Sequence, residues 1–152
     1  MKTKVFSVTT IIILVIALLC TGICAWQTVL MLSHQAAFAA DHPDYIPHSW
    51  YLLALLAAPA VLAGGQLVLR RKGNPVLCGA LSVLMLVLEV PALGAAADQH
   101  YNLGMLVSDY GIRIPFEGGW ALLILTAALL IATAVQLLTV IVSVMTGKGS
   151  DA

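Results

Sequence analysis

Four long apolar runs divide the chain, at residues 5–32, 50–69, 75–97 and 120–145, and most of the strongly polar residues gather between them. A helix rises about 1.5 Å per residue, so crossing a hydrocarbon core of about 30 Å takes about 20 residues, and each run reaches that length. The core holds no water to satisfy an open backbone, which makes each run helical. The pattern predicts an all-α integral membrane protein, a four-transmembrane-helix bundle forming one domain over residues 1–152.

Composition agrees. Hydrophobic residues make up 61% of the chain and the mean hydropathy is +1.02, beyond what a soluble domain of this size needs for its core. Lys2 and Lys4 ahead of an apolar stretch, with Ala37, Phe38 and Ala39 after it, imitate a secretory signal, but signal cores span about 7 to 15 residues and this run is longer. Leu19 and Ile23, rather than small residues, precede Cys20 and Cys24, so no lipid anchor is expected.

Charge gives the expected orientation. Lys2 and Lys4 precede the first run, Arg70, Arg71 and Lys72 join the second to the third, and Lys148 follows the fourth. The positive-inside rule puts these ends in the cytoplasm, giving an N-in/C-in topology. The first connection holds Asp41 and Asp44 without Lys or Arg, and the third holds Asp98, Asp109 and Glu117 against Arg113. Both become short external loops, periplasmic if the membrane is the bacterial inner membrane. All four histidines then lie on that side, and Trp26, Trp50, Tyr51 and Trp120 fall near its boundary, where amphipathic rings settle. Seven basic and seven acidic residues without a like-charge run leave no face for nucleic acid.

Three sets of residues carry candidate chemistry. The histidines and acids His34, Asp41, His42, Asp44, His48 and His100 are ligand types for a transition metal, although their spacing is not diagnostic and polar loops at a bilayer surface need no metal. Glu89 is the one acid well inside a span, where an unpaired charge costs several kcal/mol. Counting from Pro75 puts it about 21 Å along its helix, in the outer half, within reach of His34, His100 or Arg113. Pro91, two residues on, removes a backbone donor beside it and introduces a kink. Glu89 with Pro91 is thus a candidate proton or cation site; the alternative is a structural acid, kept neutral or hydrogen-bonded to Ser, Thr or Gln of a neighbouring helix. The third set is aromatic and polar, Tyr45, His48, Trp50, Tyr101, Tyr110 and Phe116, on the connections 33–49 and 98–119 that close one end of the bundle; aromatic anchors ringed by polar groups are typical of protein interfaces.

Cys20 and Cys24, four apart on one helix, are poorly placed to bridge each other and lack the spacing of thiol oxidoreductases; packing is their expected role. Ala60 with Gly64 and Ala128 with Ala132 are small pairs that let helices approach closely in lipid. No nucleophile elbow, zinc-protease motif, phosphate loop or haem pair is present, and catalysis is not expected. Internal repeats of the kind found in transporters are missing too. The expected function is that of a non-enzymatic inner-membrane protein binding a partner protein through its external loops, as an accessory or assembly subunit or an immunity-type inhibitor, with lipid around its helices and no resident cofactor. A second reading is transition-metal or ion handling by the external His/Asp set and Glu89. A third is an oligomeric carrier of a small solute or lipid, for which Gln66, Gln136 and scattered Ser and Thr scarcely furnish a cavity.

Overall fold

The computed structural model describes residues 2–33, 40, 49–69, 75–110 and 115–146. They form four long helices, α1 (Lys2–Ser33), α2 (Ser49–Leu69), α3 (Pro75–Tyr110) and α4 (Pro115–Met145). Each contains a stretch long and apolar enough to cross a membrane, at Val8–Met31, Trp50–Leu69, Val76–Gly104 and Trp120–Met145. The first, second and fourth agree with the apolar runs to within a few residues. Proline opens α3 and α4, where a missing N–H costs nothing and the fixed φ suits a first turn.

The third helix corrects the sequence reading. It continues thirteen residues past Ala97, through Asp98, Gln99, His100, Tyr101 and Asn102, and ends at Tyr110. Thus the expected external loop 98–119 shrinks to the segment 111–114, and Tyr101, Tyr110 and Phe116 stand on helices. Hydropathy falls at residue 98, but helical hydrogen bonding does not depend on hydropathy, and no proline interrupts until Pro115. Gln99 and Asn102 even turn inward and are buried. Glu89 falls near the middle of the longer candidate span Val76–Gly104. The helix also runs unbroken across Pro91.

Helix α1 packs on α2 and α4, α2 on α3, and α3 on α4, which closes the ring. Consecutive helices are antiparallel, because paired side chains join opposite ends. Thr10, early in α1, accepts from Gln136, late in α4, at 2.6 Å; Gln66, at the end of α2, donates to Ser82, early in α3, at 3.0 Å.

Buried positions advance in alternating steps of three and four. The line runs through 10, 13, 17, 20, 24, 27 and 31 in α1; 52, 56, 59, 63 and 66 in α2; 78, 82, 85, 89, 92, 96, 99 and 103 in α3; and 122, 126, 129, 133, 136, 140 and 143 in α4, with 28, 55, 60, 95 and 102 buried beside it. This heptad spacing is that of helices wound left-handedly about one another with interlocking side chains. Between the buried lines the surface is aliphatic, with Val29, Val61, Val87, Ile124 and Ile131 among its most exposed members. Apolar residues outside and polar ones within suit a lipid surrounding, where burial of greasy side chains gives no drive to associate and interhelical hydrogen bonds and close packing take over.

Within this chain the small pairs do not all mark close helix contacts. A side chain built at Gly64 would meet nothing within 4 Å, whereas one at Gly79 would touch Val140 Cγ1 at 3.4 Å. Among the described glycines, the one whose added side chain would meet a neighbour therefore lies between α3 and α4. Ala60 is buried, but Ala128 and Ala132 are only half-buried.

Candidate functional site

The buried lines carry Thr10, Gln27, Gln66, Ser82, Glu89, Gln99, Thr126, Thr133, Gln136 and Ser143. A polar seam therefore runs inside the bundle, and one cluster in it draws on all four helices. Gln136 Nε2 donates to Thr10 Oγ1 at 2.6 Å and to Gln66 Oε1 at 2.9 Å. Its Oε1 accepts from the Ser82 hydroxyl at 2.6 Å. Gln66 Nε2 donates to Ser82 Oγ at 3.0 Å and to the Cys78 carbonyl at 2.9 Å. Both glutamines thus use their donors and their acceptor, and a satisfied network of this kind holds a bundle in one register.

Glu89 stands two turns along α3 from Ser82. It is fully buried. Its Oε2 accepts from the Thr133 hydroxyl of α4 at 2.9 Å, and the same hydroxyl lies 3.0 Å from the Leu129 carbonyl. Its Oε1 is buried with no hydrogen-bond partner. Among the described residues the neighbour is thus a threonine of the adjacent helix, as in the structural alternative, rather than His100. His100 lies three turns farther along the same helix, about 16 Å away, and its ring sits 4.5 Å from that of Trp120. His34 and Arg113 are outside the described residues. Pro91 is exposed while Glu89 is buried; they occupy opposite faces of α3 and do not form one site.

Farther along, the Thr126 hydroxyl donates to the Leu122 carbonyl of its own helix at 2.7 Å, and Cys24 Sγ is 3.9 Å from Thr28 Oγ1. Gln99 Nε2 donates to Gln27 Oε1 at 2.7 Å. All three cysteines are free and buried, as packing residues should be.

At this same end of the bundle lie the described aromatic side chains. Trp26, Trp50, Tyr51, Tyr101 and Trp120 are each at least 42% exposed, and they come from the late turns of α1 and α3 and the early turns of α2 and α4. Of the residues proposed for partner contact, Trp50 and Tyr101 are therefore on the surface. Tyr45 and His48 are outside the described residues, as are the side chains of Tyr110 and Phe116. From the metal set, His34, Asp41, His42, Asp44 and His48 are likewise outside, leaving His100 beside Trp120. Among the described residues no three His, Cys, Asp or Glu gather within metal-binding reach.

Sequence reasoning missed Thr10, Ser82 and Thr133 as members of the interior, and Gln27 with Gln99 as a pair. The available signal was spacing. Ser82 and Glu89 are seven apart, as are Thr126 and Thr133, and Thr133 and Gln136 are three apart, the steps of one helix line. Comparison with family models, with curated proteins and with solved structures finds no match for this chain.

Proposed function

We propose that the protein is a non-enzymatic membrane component that recognises a partner protein at the aromatic end of its bundle. The observation that supports this reading is the gathering there of five exposed aromatic side chains, with His100 against Trp120. Tryptophan and tyrosine supply much of the energy at protein interfaces, and the connection 34–48 adds Asp41, His42, Asp44, Tyr45 and His48 next to them in sequence. Accessory or assembly subunits and immunity-type inhibitors act in this way. The same rings also suit the headgroup level of a bilayer, so the decisive variants are those that leave tryptophan in place. Replacing Tyr45 and Tyr101 together by Ala is expected to lower recovery of a copurified protein at least tenfold while the bundle stays folded. Replacing His42, His48 and His100 by Gln is expected to leave metal content unchanged. Loss of a bound metal in the histidine variant, with any copurified protein retained, would move the assignment to metal handling.

The reading includes an orientation, with both termini cytoplasmic and the aromatic end in the periplasm of a bacterial inner membrane, supported by Lys2, Lys4, Arg70, Arg71, Lys72 and Lys148 at the opposite end. Native cysteines are buried and give little background to a membrane-impermeant thiol reagent. A cysteine introduced at Asp44, or at Ser108, which is exposed, is expected to react in intact cells; one at Lys72 or Lys148 is expected to be spared. Reaction at Lys72 alone of these sites would invert the topology.

A further inference from the structure

Two acceptors inside the bundle lack the donor their place would normally give them. The first is Glu89 Oε1, buried with no hydrogen-bond partner. The second follows from Pro59, which lies inside α2 and is buried. Proline has no N–H, so the Leu55 carbonyl loses its helical donor on the buried face of α2. Register puts the two together. Gln66 and Ser82 are bonded at 3.0 Å, and because α2 and α3 are antiparallel, stepping seven residues back from Gln66 and seven forward from Ser82 moves the same way along the bundle. Those steps arrive at Pro59 and Glu89, both on the buried heptad lines of adjacent helices.

Two acceptors that register brings to one level of adjacent helices call for a donor between them. We propose that Glu89, the Leu55 carbonyl and the Thr133 hydroxyl form an intramembrane proton-binding site, separate from the aromatic end. A proton taken from water adds to Oε1; the resulting O–H donates to the Leu55 carbonyl, and Oε2 continues to accept from Thr133. On release the proton returns to water and the carboxylate keeps its Thr133 bond. A proton fits better than a metal ion because it needs no cavity and few ligands, whereas a sodium ion asks for a shell of several oxygens. The other groups facing the site are few: Cys20 of α1 is the titratable side chain on that helix nearest in register, and the described residues of α2 and α4 present no charged or titratable group at this level.

The test is infrared spectroscopy of the full chain in lipid bilayers, with carbon-13 in the glutamate side-chain carboxyl. The chain has two glutamates, Glu89 and Glu117, and Glu117→Gln leaves Glu89 as the single labelled group. The expected result is one isotope-shifted protonated-carboxyl band that disappears reversibly as pH rises and is unaffected by sodium at fixed pH. Pro59→Ala, which returns an N–H to the Leu55 carbonyl, is expected to move that band to the position of a carboxyl lacking this hydrogen bond, with helix content by circular dichroism unchanged. Absence of the band throughout would overturn the proposal. So would its persistence up to the pH at which helix content collapses, which marks a structural acid without exchange, and so would its loss on adding sodium at fixed pH, which marks a metal-ion site. A band unmoved by Pro59→Ala would remove Leu55 from the site and with it the geometry proposed.

Discussion

Glu89→Lys is expected to abolish the folded bundle, whereas Glu89→Gln is expected to keep it. The carboxyl is fully buried near the middle of Val76–Gly104, about 20 Å along the helix from either end, too far for a lysine stem to carry its charge out to water. A lysine there brings an ammonium group with no acidic partner among the described residues of the neighbouring helices at that level. The cost of several kcal/mol for a charge at this depth is comparable to the whole stability of an ordinary protein, about 5 to 15 kcal/mol. Glutamine is nearly isosteric, brings no charge, and still accepts from Thr133. Detergent extracts should therefore contain the glutamine variant as a monodisperse helical protein and the lysine variant as aggregate or as nothing. If both extract and melt like the wild type, the side chain faces water or the lipid edge and its interior placement is wrong.

Gln136→Leu should cost roughly 2 to 3 kcal/mol. The side chain joins Thr10, Gln66 and Ser82 of three other helices, and interhelical hydrogen bonds within a bilayer average about 0.6 kcal/mol, with a maximum near ~1.7. Loss of three such bonds gives the lower figure, and the stranded Gln66 oxygen and Ser82 hydroxyl raise it. Thr139→Val is the matched control, because the Thr139 hydroxyl bonds only the Val135 carbonyl of its own helix, at 3.0 Å. Unfolding titrated with a denaturing detergent should separate the two variants by at least ~1.5 kcal/mol, a figure that follows from the same bond energies. Equal stability would mean that the network adds nothing beyond packing.

The spans were readable because residues such as Ile11–Ile12–Ile13 or Leu122–Leu123 keep hydropathy high over whole windows. That same averaging hid the rest. Thr10, Ser82, Thr133 and Gln136 are single polar residues in greasy surroundings, and a window smooths them away; read at steps of three and four they fall on one face of each helix. The far part of α3 was lost for the opposite reason. Asp98, Gln99 and His100 lower the hydropathy enough to resemble a loop, although a run without proline or paired glycines has no reason to leave the helix. Glu89 was recognised as interior from its isolation in the span. Its partner was not, since a threonine on a helix forty-four residues away becomes a neighbour only once the register of α3 against α4 is known.

The four-helix hydrogen-bond cluster also bears on how the chain is made. Thr10, Gln66 and Ser82 reach the membrane before α4 has been synthesised, and until Gln136 arrives the Ser82 hydroxyl and the Gln66 oxygen lack their partner on that helix. A nascent chain stalled or cut before α4 therefore exposes a polar groove to lipid that the complete chain hides. The last helix acts as the keystone of biogenesis, and incomplete products carry within the bilayer a mark by which membrane quality control can distinguish them from finished ones.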